Sequence, residues 1–504
     1  MSGLADLVAE GMLVPYHAPW PRCTVQSSTW QRAIAGLVSV KMTLLGLWGE
    51  TECVHMAVIE AATNTVAILS LPCPDGVYPS VGQAHPPAIR LERAILDLFG
   101  LVPVGLPDQR PWLDHGCWPE SFPLNPPRTA RRDSELYTFL PVEGGGLHQI
   151  AVGPVHAGII EPGHFRFTAN GEAVVRLEER LGYAHKGIES LMAGADLAGA
   201  AKLAGRVSGD STVAYGWAFA MAAESALQLE IPARAIWLRA LMAELERLAN
   251  HLGDIGAICN DAAFPLLHAH FGALRERVLR AAVTAFGHRL MRDCIVPGGV
   301  SIDPGPDGVE AITALIASIG EQLPRLVETY DNTASLQDRT VSTGVLKPAL
   351  ATQYGAGGYI GRASGRSFDT RRTQPYAPYD QLAFEVPVLS EGDVDARVWI
   401  RIREVEQSLS LVKQMLSALP GGALVGSFAD RTEPCEGAAL VEGFRGDILV
   451  WLRLGGDGKV ERCHLRDPSW FQWPLLEAAI ENNIVADFPL CNKSFNCSYS
   501  GHDL

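Results

Sequence analysis

The stretch RVSGDSTVAYGWAFAMAAESALQ, residues 206–228, places a short polar segment in front of a long apolar one. From Thr212 onward the side chains are apolar on nearly every face of a helix, and Glu224 is the exception. A helix that is apolar all round belongs in a domain core, with its carboxylate either paired or functional. The stretch therefore predicts a mainly helical domain built around this segment.

The sequence on either side extends this helical domain. Apolar side chains recur at helical spacing over residues 184–192, 231–258, 265–291, 307–332 and 393–419. Two hairpins are predicted at its margins, at 149–167 across Glu161-Pro162-Gly163 and at 447–464 around a glycine-rich turn. Residues 172–181 are compatible with a strand or a short helix.

A smaller α+β unit precedes the helical domain. Residues 54–71 alternate in β-branched side chains around a turn at Asn64, which predicts a hairpin, and residues 87–99 predict a helix that ends at Gly100. A connector rich in proline and glycine follows. We therefore predict an α+β chain with an accessory domain at 1–118, a linker at 119–147 and a large domain at 148–504.

Composition excludes several functional classes. The chain has 41 Lys and Arg against 56 Asp and Glu, a formal charge of −15, which argues against a nucleic-acid partner. None of its 10 cysteines forms a C-x-x-C pair, a spacing common in zinc and iron–sulfur sites. No secretory signal and no apolar run of bilayer length is found, so we expect a reducing cytosol and no membrane span.

Several polar groups stand in apolar surroundings. His185 and Glu189 are four residues apart, which on a helix places them on one face with room for a proton or an ion between them; a solvated helix face is the alternative. The serines and the aspartate of 206–211 suit an ordinary helix N-cap. The arginine-rich loop 362–379 is compatible with binding of anionic groups, and an ordinary surface loop is the alternative. The charges of 393–408 predict an intrahelical salt-bridge ladder.

At these residues the sequence resembles the large subunit of group 4, energy-converting [NiFe] hydrogenases of the formate-hydrogenlyase type, which is similar to the quinone-site subunit of respiratory complex I. RLGYAHKGIE at 180–189, the helix 231–256, the arginine-rich loop and residues 442–470 follow in family order. RLERAILDLFG at 90–100 resembles the small peripheral-arm subunit of complex I. The resemblance implies a hydrogenase large-subunit fold with peripheral β-hairpins behind a fused α+β domain.

The departures from the family decide the expected chemistry. The family's hydrogenases hold nickel and iron through two pairs of cysteine thiolates, because soft anionic sulfur donates strongly and bridges two metals. Ser208 and Ser211 stand where the first pair belongs, and Ser498 and Gly501 where the second pair belongs. We therefore expect no standard nickel–iron centre, and a metal held by Cys491 and Cys497 is left open.

The resemblance also implies roles for individual residues. His185 and Lys186 would face a partner's iron–sulfur cluster, Glu189 and Glu224 would pass protons with raised pKa values, and Arg445 would line the former metal pocket. The residues implied as catalytic are Glu189, His185, Glu224 and Arg445. Those implied as contacts to a cofactor such as a quinone are His156, Lys186, Tyr215 and Arg206.

Three hypotheses of function follow. The first is a large-subunit-like component that passes electrons from an iron–sulfur cluster in a complex I-like small subunit to a quinone or another acceptor. Antiporter-like and anchor subunits would hold the chain on the inner face of the cell membrane. The second is a hydrogenase with an atypical metal site, and the third is a redox-inert structural connector in such a complex.

Overall fold

The computed structural model describes residues 3–125, 137–156, 158, 160–427 and 433–504. Part of the predicted linker, residues 126–136, lies outside the described residues. Within them the chain is a mixed helix and strand protein, which confirms the predicted α+β class.

The accessory unit comes first along the chain. Its elements are α1 (Leu4–Glu10), β1 (Met12–Leu13), β2 (His17–Ala18), β3 (Arg22–Thr24), α2 (Ser27–Val38), β4 (Met42–Glu50), β5 (Cys53–Glu60), β6 (Val66–Pro72), β7 (Val77–Pro79), α3 (Ile89–Phe99) and β8 (Val102–Val104). Five strands form one sheet in the order β1-β3-β6-β5-β4. The predicted hairpin is confirmed as β5 and β6, with Asn64 left-handed at φ +56° in the turn. The predicted helix is α3, and Gly100 ends it at φ +67°.

The large domain begins with a three-stranded sheet and continues as helices. Its first elements are β9 (Leu147–Val152), β10 (His164–Asn170), β11 (Ala173–Arg180), α4 (Ile188–Met192), α5 (Leu197–Ala204), α6 (Thr212–Leu227), α7 (Ala233–Asp261), α8 (Pro265–Phe286), β12 (Ile295–Val296), β13 (Gly299–Val300) and α9 (Gly305–Asn332). The predicted hairpin at 149–167 is confirmed as β9 and β10, and 173–180 is a strand.

The remaining elements complete the domain. They are α10 (Ala334–Thr340), α11 (Pro348–Gln353), α12 (Gly358–Ala363), α13 (Thr370–Thr373), α14 (Val394–Ala418), β14 (Cys435–Gly443), β15 (Gly446–Leu454), β16 (Val460–Arg466), α15 (Ser469–Ala479), α16 (Phe488–Phe495) and α17 (Tyr499–Asp503). The predicted closing hairpin is confirmed as β15 and β16.

Helix α6 lies in the centre of this domain, as its composition predicts. Tyr215, Phe219 and Ala220 are fully buried, and the helix packs against α7 and the sheet of β14 and β15. Gly437 allows the close approach to the sheet, because a Cβ there would collide with the carbonyl of Ala222. Helices α7, α8, α9 and α14 pack side by side on this core.

Two predictions for local structure are wrong. The helix predicted at 184–192 begins only at Ile188, because Gly182 and Gly187 adopt positive φ and the chain turns between them. The predicted intrahelical ladder of α14 is instead a set of contacts to other elements. Arg401 pairs with Asp254 of α7, and Glu404 pairs with Arg362 of the arginine-rich loop. Arg362, Asp369 and Arg371 of that loop are buried, and carboxylates of this chain neutralise Arg362.

Candidate functional site

Three serines from distant parts of the chain meet at the N-terminus of α6. Ser208 Oγ lies 3.2 Å from Ser498 Oγ, although the two residues are 290 positions apart. Ser211 occupies the N-cap of α6, and Ser498 caps α17 by accepting the N–H of Gly501 at 2.9 Å. We call Ser208, Ser211 and Ser498, together with Asp210 and Arg445, the serine cluster.

An ion pair closes the serine cluster. Arg445 Nη2 lies 2.6 Å from Asp210 Oδ2, and its Nη1 lies 2.8 Å from Oδ1. Ser208 donates its hydroxyl to Asp210 at 2.6 Å. Desolvation opposes the charge on both ionic groups, but their attraction outweighs it, so the pKa of Asp210 falls to about 2 and that of Arg445 rises. The positive charge of Arg445 thus balances the negative charge of Asp210 within the cluster.

Asp467 lies against Gly501, the fourth position where the resemblance implies a cysteine. A Cβ on Gly501 would collide with the Asp467 carboxylate, so this position has no room for a cysteine side chain as the site stands. Tyr215 donates its hydroxyl to Asp467 Oδ2 at 2.6 Å, and the N–H of Ser469 donates to Oδ1 at 2.8 Å. Burial and the neighbouring carboxylate raise the pKa of Tyr215, so its phenol stays protonated.

These residues do not fit a nickel–iron centre. The expected thiolate positions hold neutral hydroxyls and a glycine, and the hydroxyls of Ser208 and Ser498 are hydrogen-bonded within the cluster. Cys497 is buried with a raised pKa, and Cys491 Sγ lies against Gly344. In the described residues no group of three or more histidine, cysteine, aspartate or glutamate side chains is arranged to hold a metal ion.

His185 and Lys186 lie on the turn that precedes α4, not on a helix. The N–H groups of Lys186 and Gly187 donate to the carbonyl of Leu504 at 3.0 and 3.2 Å. His185 Nδ1 lies 2.8 Å from the carbonyl of Asp503, and its ring packs at 5.0 Å from Trp118. Lys186 donates its ammonium to the carbonyls of Arg206 and Val207. The turn therefore joins the end of the chain to the segment before α6.

Glu189 faces β16 instead of His185. Its carboxylate lies 2.8 Å from His464 Nδ1 and 2.7 Å from Arg462 Nη2, and the N–H of Leu465 donates to it at 3.1 Å. The predicted rise in its pKa is wrong. Burial favours the neutral acid, but the Arg462 and His464 contacts outweigh burial and lower the pKa to about 2. Glu189 is a fixed carboxylate that orients two cationic or donor side chains.

A chamber lies between the accessory unit and the large domain beside Glu189. Its volume is about 440 Å³. Side chains of β4 and α3 and the ring of Trp118 form one side, and His185, Arg462, His464 and Trp470 form the other. Glu189 also lines the chamber, and the walls contributed by α3 are apolar. Of the implied site residues, His185, Lys186 and Glu189 line the chamber, and Arg445 belongs to the serine cluster.

Known families match both parts of the chain. The family model of the respiratory-chain NADH dehydrogenase 30 Kd subunit matches residues 38–132, and that of the 49 Kd subunit matches 266–437. Formate hydrogenlyase subunit 5 of Escherichia coli is 32% identical over 436 residues, which are 84% of this chain and 77% of the relative. The chain belongs to the complex I and hydrogenase large-subunit family. This confirms the resemblance inferred from its motifs.

Other relatives span both branches of the family. The carbon monoxide-induced hydrogenase of Rhodospirillum rubrum is 30% identical over 69% of this chain and 97% of its own length. An NADH-quinone oxidoreductase subunit of Phocaeicola vulgatus is 28% identical over 81% and 83% of the two chains. A chain in the structure of the membrane-bound sulfane sulfur reductase, an archaeal respiratory membrane complex, matches with a TM-score of 0.68 and 26% identity over 72% of this chain and 100% of its own.

The structure separates two implied residues of this hydrogenase-like subunit from the serine cluster. Glu224 lies at the opposite end of α6, where it pairs with Arg239 at 2.5 Å and accepts the N–H of Gly298. The Arg206 side chain points to Asp293, with Nη2 at 2.7 Å from Oδ2. Both side chains are engaged with partners inside the chain and contact none of the serines.

His156 lies on a partly exposed loop of the protein. Its Nδ1 accepts the N–H of Gly158 at 3.1 Å, and its Nε2 lies 3.3 Å from the carbonyl of Glu161. The Glu161 carboxylate accepts the N–H of Ser500 at 2.9 Å, so the loop is tied to α17 next to Ser498.

In the described part of the chain, no helix combines the length and the apolar run that a bilayer crossing needs.

Glu246 of α7 is a candidate site residue that no sequence pattern singles out. Its carboxylate accepts the N–H groups of Val213 and Ala214 at 2.7 and 3.1 Å, at the start of α6 and next to Asp210. Burial is the largest influence and raises its pKa to about 8. The signal in the sequence is weak, because Glu246 stands among other charged residues of α7 and only the packing of α7 on α6 buries it.

Proposed function

We propose that this chain is the large-subunit-like component of a membrane-associated, energy-converting oxidoreductase complex. A partner small subunit supplies an iron–sulfur cluster, and electrons pass from it to a quinone or another acceptor without a nickel–iron centre. Antiporter-like and anchor subunits hold the chain on the cytoplasmic face of the cell membrane. Family membership and the relatives in respiratory complexes support this assignment.

The serine cluster is the observation that carries the proposal. Ser208, Ser211 and Ser498 stand at positions where the resemblance implies metal-binding cysteines, and the structure brings the three together. The Arg445–Asp210 pair and Asp467 lie against them. A hydroxyl that is already donated to a carboxylate is a poor substitute for a thiolate. The fold of the hydrogenase large subunit is therefore retained around a site with different chemistry.

The proposal assigns separate roles to the polar groups. His185 and Lys186 lie on a turn that is partly open to solvent and would face the cluster-bearing partner. His156, on the loop that Glu161 ties to α17, and Tyr215, bonded to Asp467, would contact the acceptor. We assign proton handling to Glu246, because its pKa of about 8 lets it exchange a proton near neutral pH. Glu189, with a pKa of about 2, stays a carboxylate there.

The metal content of the purified complex tests the proposal. Elemental analysis of nickel and iron is combined with hydrogen-dependent reduction of methyl viologen and with reduction of a short-chain quinone by the reduced complex. We expect iron from the partner's clusters, no stoichiometric nickel, no hydrogen activity and measurable quinone reduction. One nickel per complex would contradict the proposal and favour the hydrogenase hypothesis.

A second candidate function, a redox-inert connector, is favoured by the ion pairs. Glu189 and Glu224 are both locked in buried pairs with arginines, as structural carboxylates are. The variants His185→Ala and Glu246→Gln distinguish the two functions in the assembled complex. Unchanged electron-transfer turnover in correctly assembled variants favours the connector, and reduced turnover favours the electron-transfer role.

A further inference from the structure

The two edges of the sheet β11-β10-β9 differ in the described part of the chain. The outer edge of β11 is closed, because Val174 exchanges backbone hydrogen bonds with residues 482–483. The outer edge of β9 is open. The N–H of Leu147 donates to the carbonyl of Gly144, and no other described residue outside β10 is hydrogen-bonded to the backbone of β9.

The sequence of β9 does not protect this open edge. In an antiparallel pair every second residue directs its N–H and C=O away from the partner strand, so about half of the backbone groups of β9 face outward. Edge strands usually carry lysine, proline or a bulge that prevents pairing with another chain. LHQIAV, residues 147–152, has no lysine, carboxylate or proline, and its ladder with β10 has no bulge. The edge is therefore suited to an added strand.

One face of β9 lies at the margin of an apolar surface. Ile150 and Val152 are the register partners of two buried side chains of β10, Phe167 and Phe165. Ile150 is only half-buried and Val152 is 36% exposed, so the apolar surface reaches the open edge. Apolar side chains on an added strand would bury this margin, because cross-strand neighbours on one face pack together.

The other face of β9 lies beside an arginine without an anionic partner. Arg166 of β10 is the register partner of Ala151, and among the described residues it forms no ion pair. Its guanidinium lies 3.3 Å from the Gln149 side-chain oxygen and stacks on Phe139. A depression of about 550 Å³ is lined by Arg166, Gln149 and Pro141. Because Ala151 is small, a carboxylate on an added strand can approach the guanidinium.

We propose that β9 pairs with an extended segment of a partner subunit that alternates apolar with acidic side chains. The apolar side chains of that segment would cover Ile150 and Val152, and an acidic side chain would bind Arg166. A second copy of this chain fits less well, because antiparallel pairing of two β9 strands would bring two Arg166 groups onto one face. The inference rests on the proposed assembly with partner subunits and not on electron transfer.

Amide hydrogen exchange of the isolated chain and of the purified complex tests the pairing. In the complex the outward N–H groups of β9 should exchange at least about tenfold more slowly than in the isolated chain. The N–H groups of Val174 and Asn482 at the closed edge are the control and should be protected in both. Fast exchange of β9 in both preparations would overturn the proposal. Protection already present in the isolated chain would mean that this chain or a second copy closes the edge, and would also overturn it.

Two variants test the chemistry of the partner segment. Ala151→Lys adds the charge that edge strands use against pairing, and Arg166→Glu reverses the charge that would bind the acidic side chain. We expect both to remove the protection of β9 in the complex. Ala314→Lys and Arg325→Glu, on the exposed side of α9, are the matched controls and should retain it.

The outcomes separate this inference from the proposed function. Unchanged protection in Ala151→Lys would overturn the strand pairing, and unchanged protection in Arg166→Glu would overturn the acidic recognition. A wild-type complex that contains partner subunits and leaves β9 unprotected contradicts this inference alone. A chain that purifies without any partner subunit contradicts the proposed function as well.

Discussion

Single residues decide which side chains fit at the fourth position where the resemblance implies a cysteine. The backbone of Gly501 does not adopt positive φ, so any residue could take its conformation. The limit is space, because a Cβ at this position would collide with neighbouring side chains. Asp467 stands against it and is held in place by Tyr215. One glycine and one carboxylate thus leave no room at position 501 for the cysteine that the resemblance implies there.

The first prediction concerns this packing. Gly501→Ala should lower the free energy of unfolding by about 1–3 kcal/mol, because overpacking a filled site forces its neighbours to move. Urea denaturation measures the loss. Gly209→Ala is the matched control in the same cluster, since a Cβ there has no atom within 4 Å. Equal stability of the two variants would show that Asp467 moves aside freely.

The second prediction concerns Glu189. Glu189→Gln should destabilise the chain by about 3–5 kcal/mol at neutral pH, because it leaves Arg462 buried without its charge partner. The folded-state pKa of about 2 lies below the ordinary value of 4.5, so the contribution is present above pH 4.5 and is lost as pH falls toward 2.

Urea denaturation across this pH range checks both parts. The stability gap between wild type and Glu189→Gln should narrow as pH falls below 4.5. Glu276→Gln, which alters an exposed ion pair, should track the wild type. A gap that does not change with pH would contradict the pairing of Glu189 with Arg462 and His464.

At the scale of elements, the N-terminus of α6 is where α7 and the serine cluster meet. Glu246 of α7 binds the first N–H groups of α6, and Asn250 of the same helix donates to the carbonyl of Asp210. The unsatisfied N–H groups of a helix start are thereby paired by a neighbouring helix. The carboxyl group of Glu246 is the titratable member of this junction near neutral pH.

The third prediction follows from the pKa of Glu246. Its folded-state pKa of about 8 exceeds the ordinary value of 4.5, so its contribution to stability is present below pH 4.5 and is lost as pH rises toward 8. The free energy of unfolding of the wild type should therefore fall over this range relative to that of Glu246→Gln. Urea midpoints measured from about pH 5 to about pH 9 test this. Glu310→Gln, on the exposed side of α9, is the control and should keep the wild-type pH dependence. If the midpoints of the wild type and Glu246→Gln change in parallel with pH, the pKa of Glu246 is not raised.

At the scale of the whole molecule, the accessory unit and the large domain share structure. Strand β2 near the start of the chain pairs in parallel with β14, so one sheet contains strands from both units. Trp48 of β4 packs on Trp451 of β15, and Arg22 pairs with Glu436 at 2.5 Å. The apolar core runs continuously from one unit into the other.

The fourth prediction is that the two units unfold together. Calorimetry of the chain should show one cooperative transition, since neither unit buries its contact face alone. Arg22→Ala and Glu436→Ala should each cost about 3–5 kcal/mol and be strongly coupled in a double-mutant cycle. The exposed pair Arg32 and Glu10 is the control and should show little coupling. Two separate transitions would contradict the shared core.

The sequence predicted most of the elements and none of the side-chain partners. Helices α6, α7, α8, α9 and α14 and the hairpins β5–β6 and β15–β16 follow from apolar periodicity and turn residues, which are local properties. The helix at 184–192 was wrong because the Leu504 carbonyl and two left-handed glycines shape that turn. The partners of Glu189 lie 273 to 276 positions away, a distance that no local pattern reaches.

The sequence by itself determined the family and the absence of cysteine from the four positions where the resemblance implies metal ligands, because both follow from the identity and order of residues. Only the tertiary structure decided how the remaining groups behave. Folding brings Ser208 and Ser498 into hydrogen-bonding contact. It also lowers the pKa of Glu189 through Arg462 and His464 and raises the pKa of Glu246 through burial. The physical reason is that a pKa and a hydrogen bond depend on distance and desolvation in space, whereas helices and strands depend on neighbours along the chain.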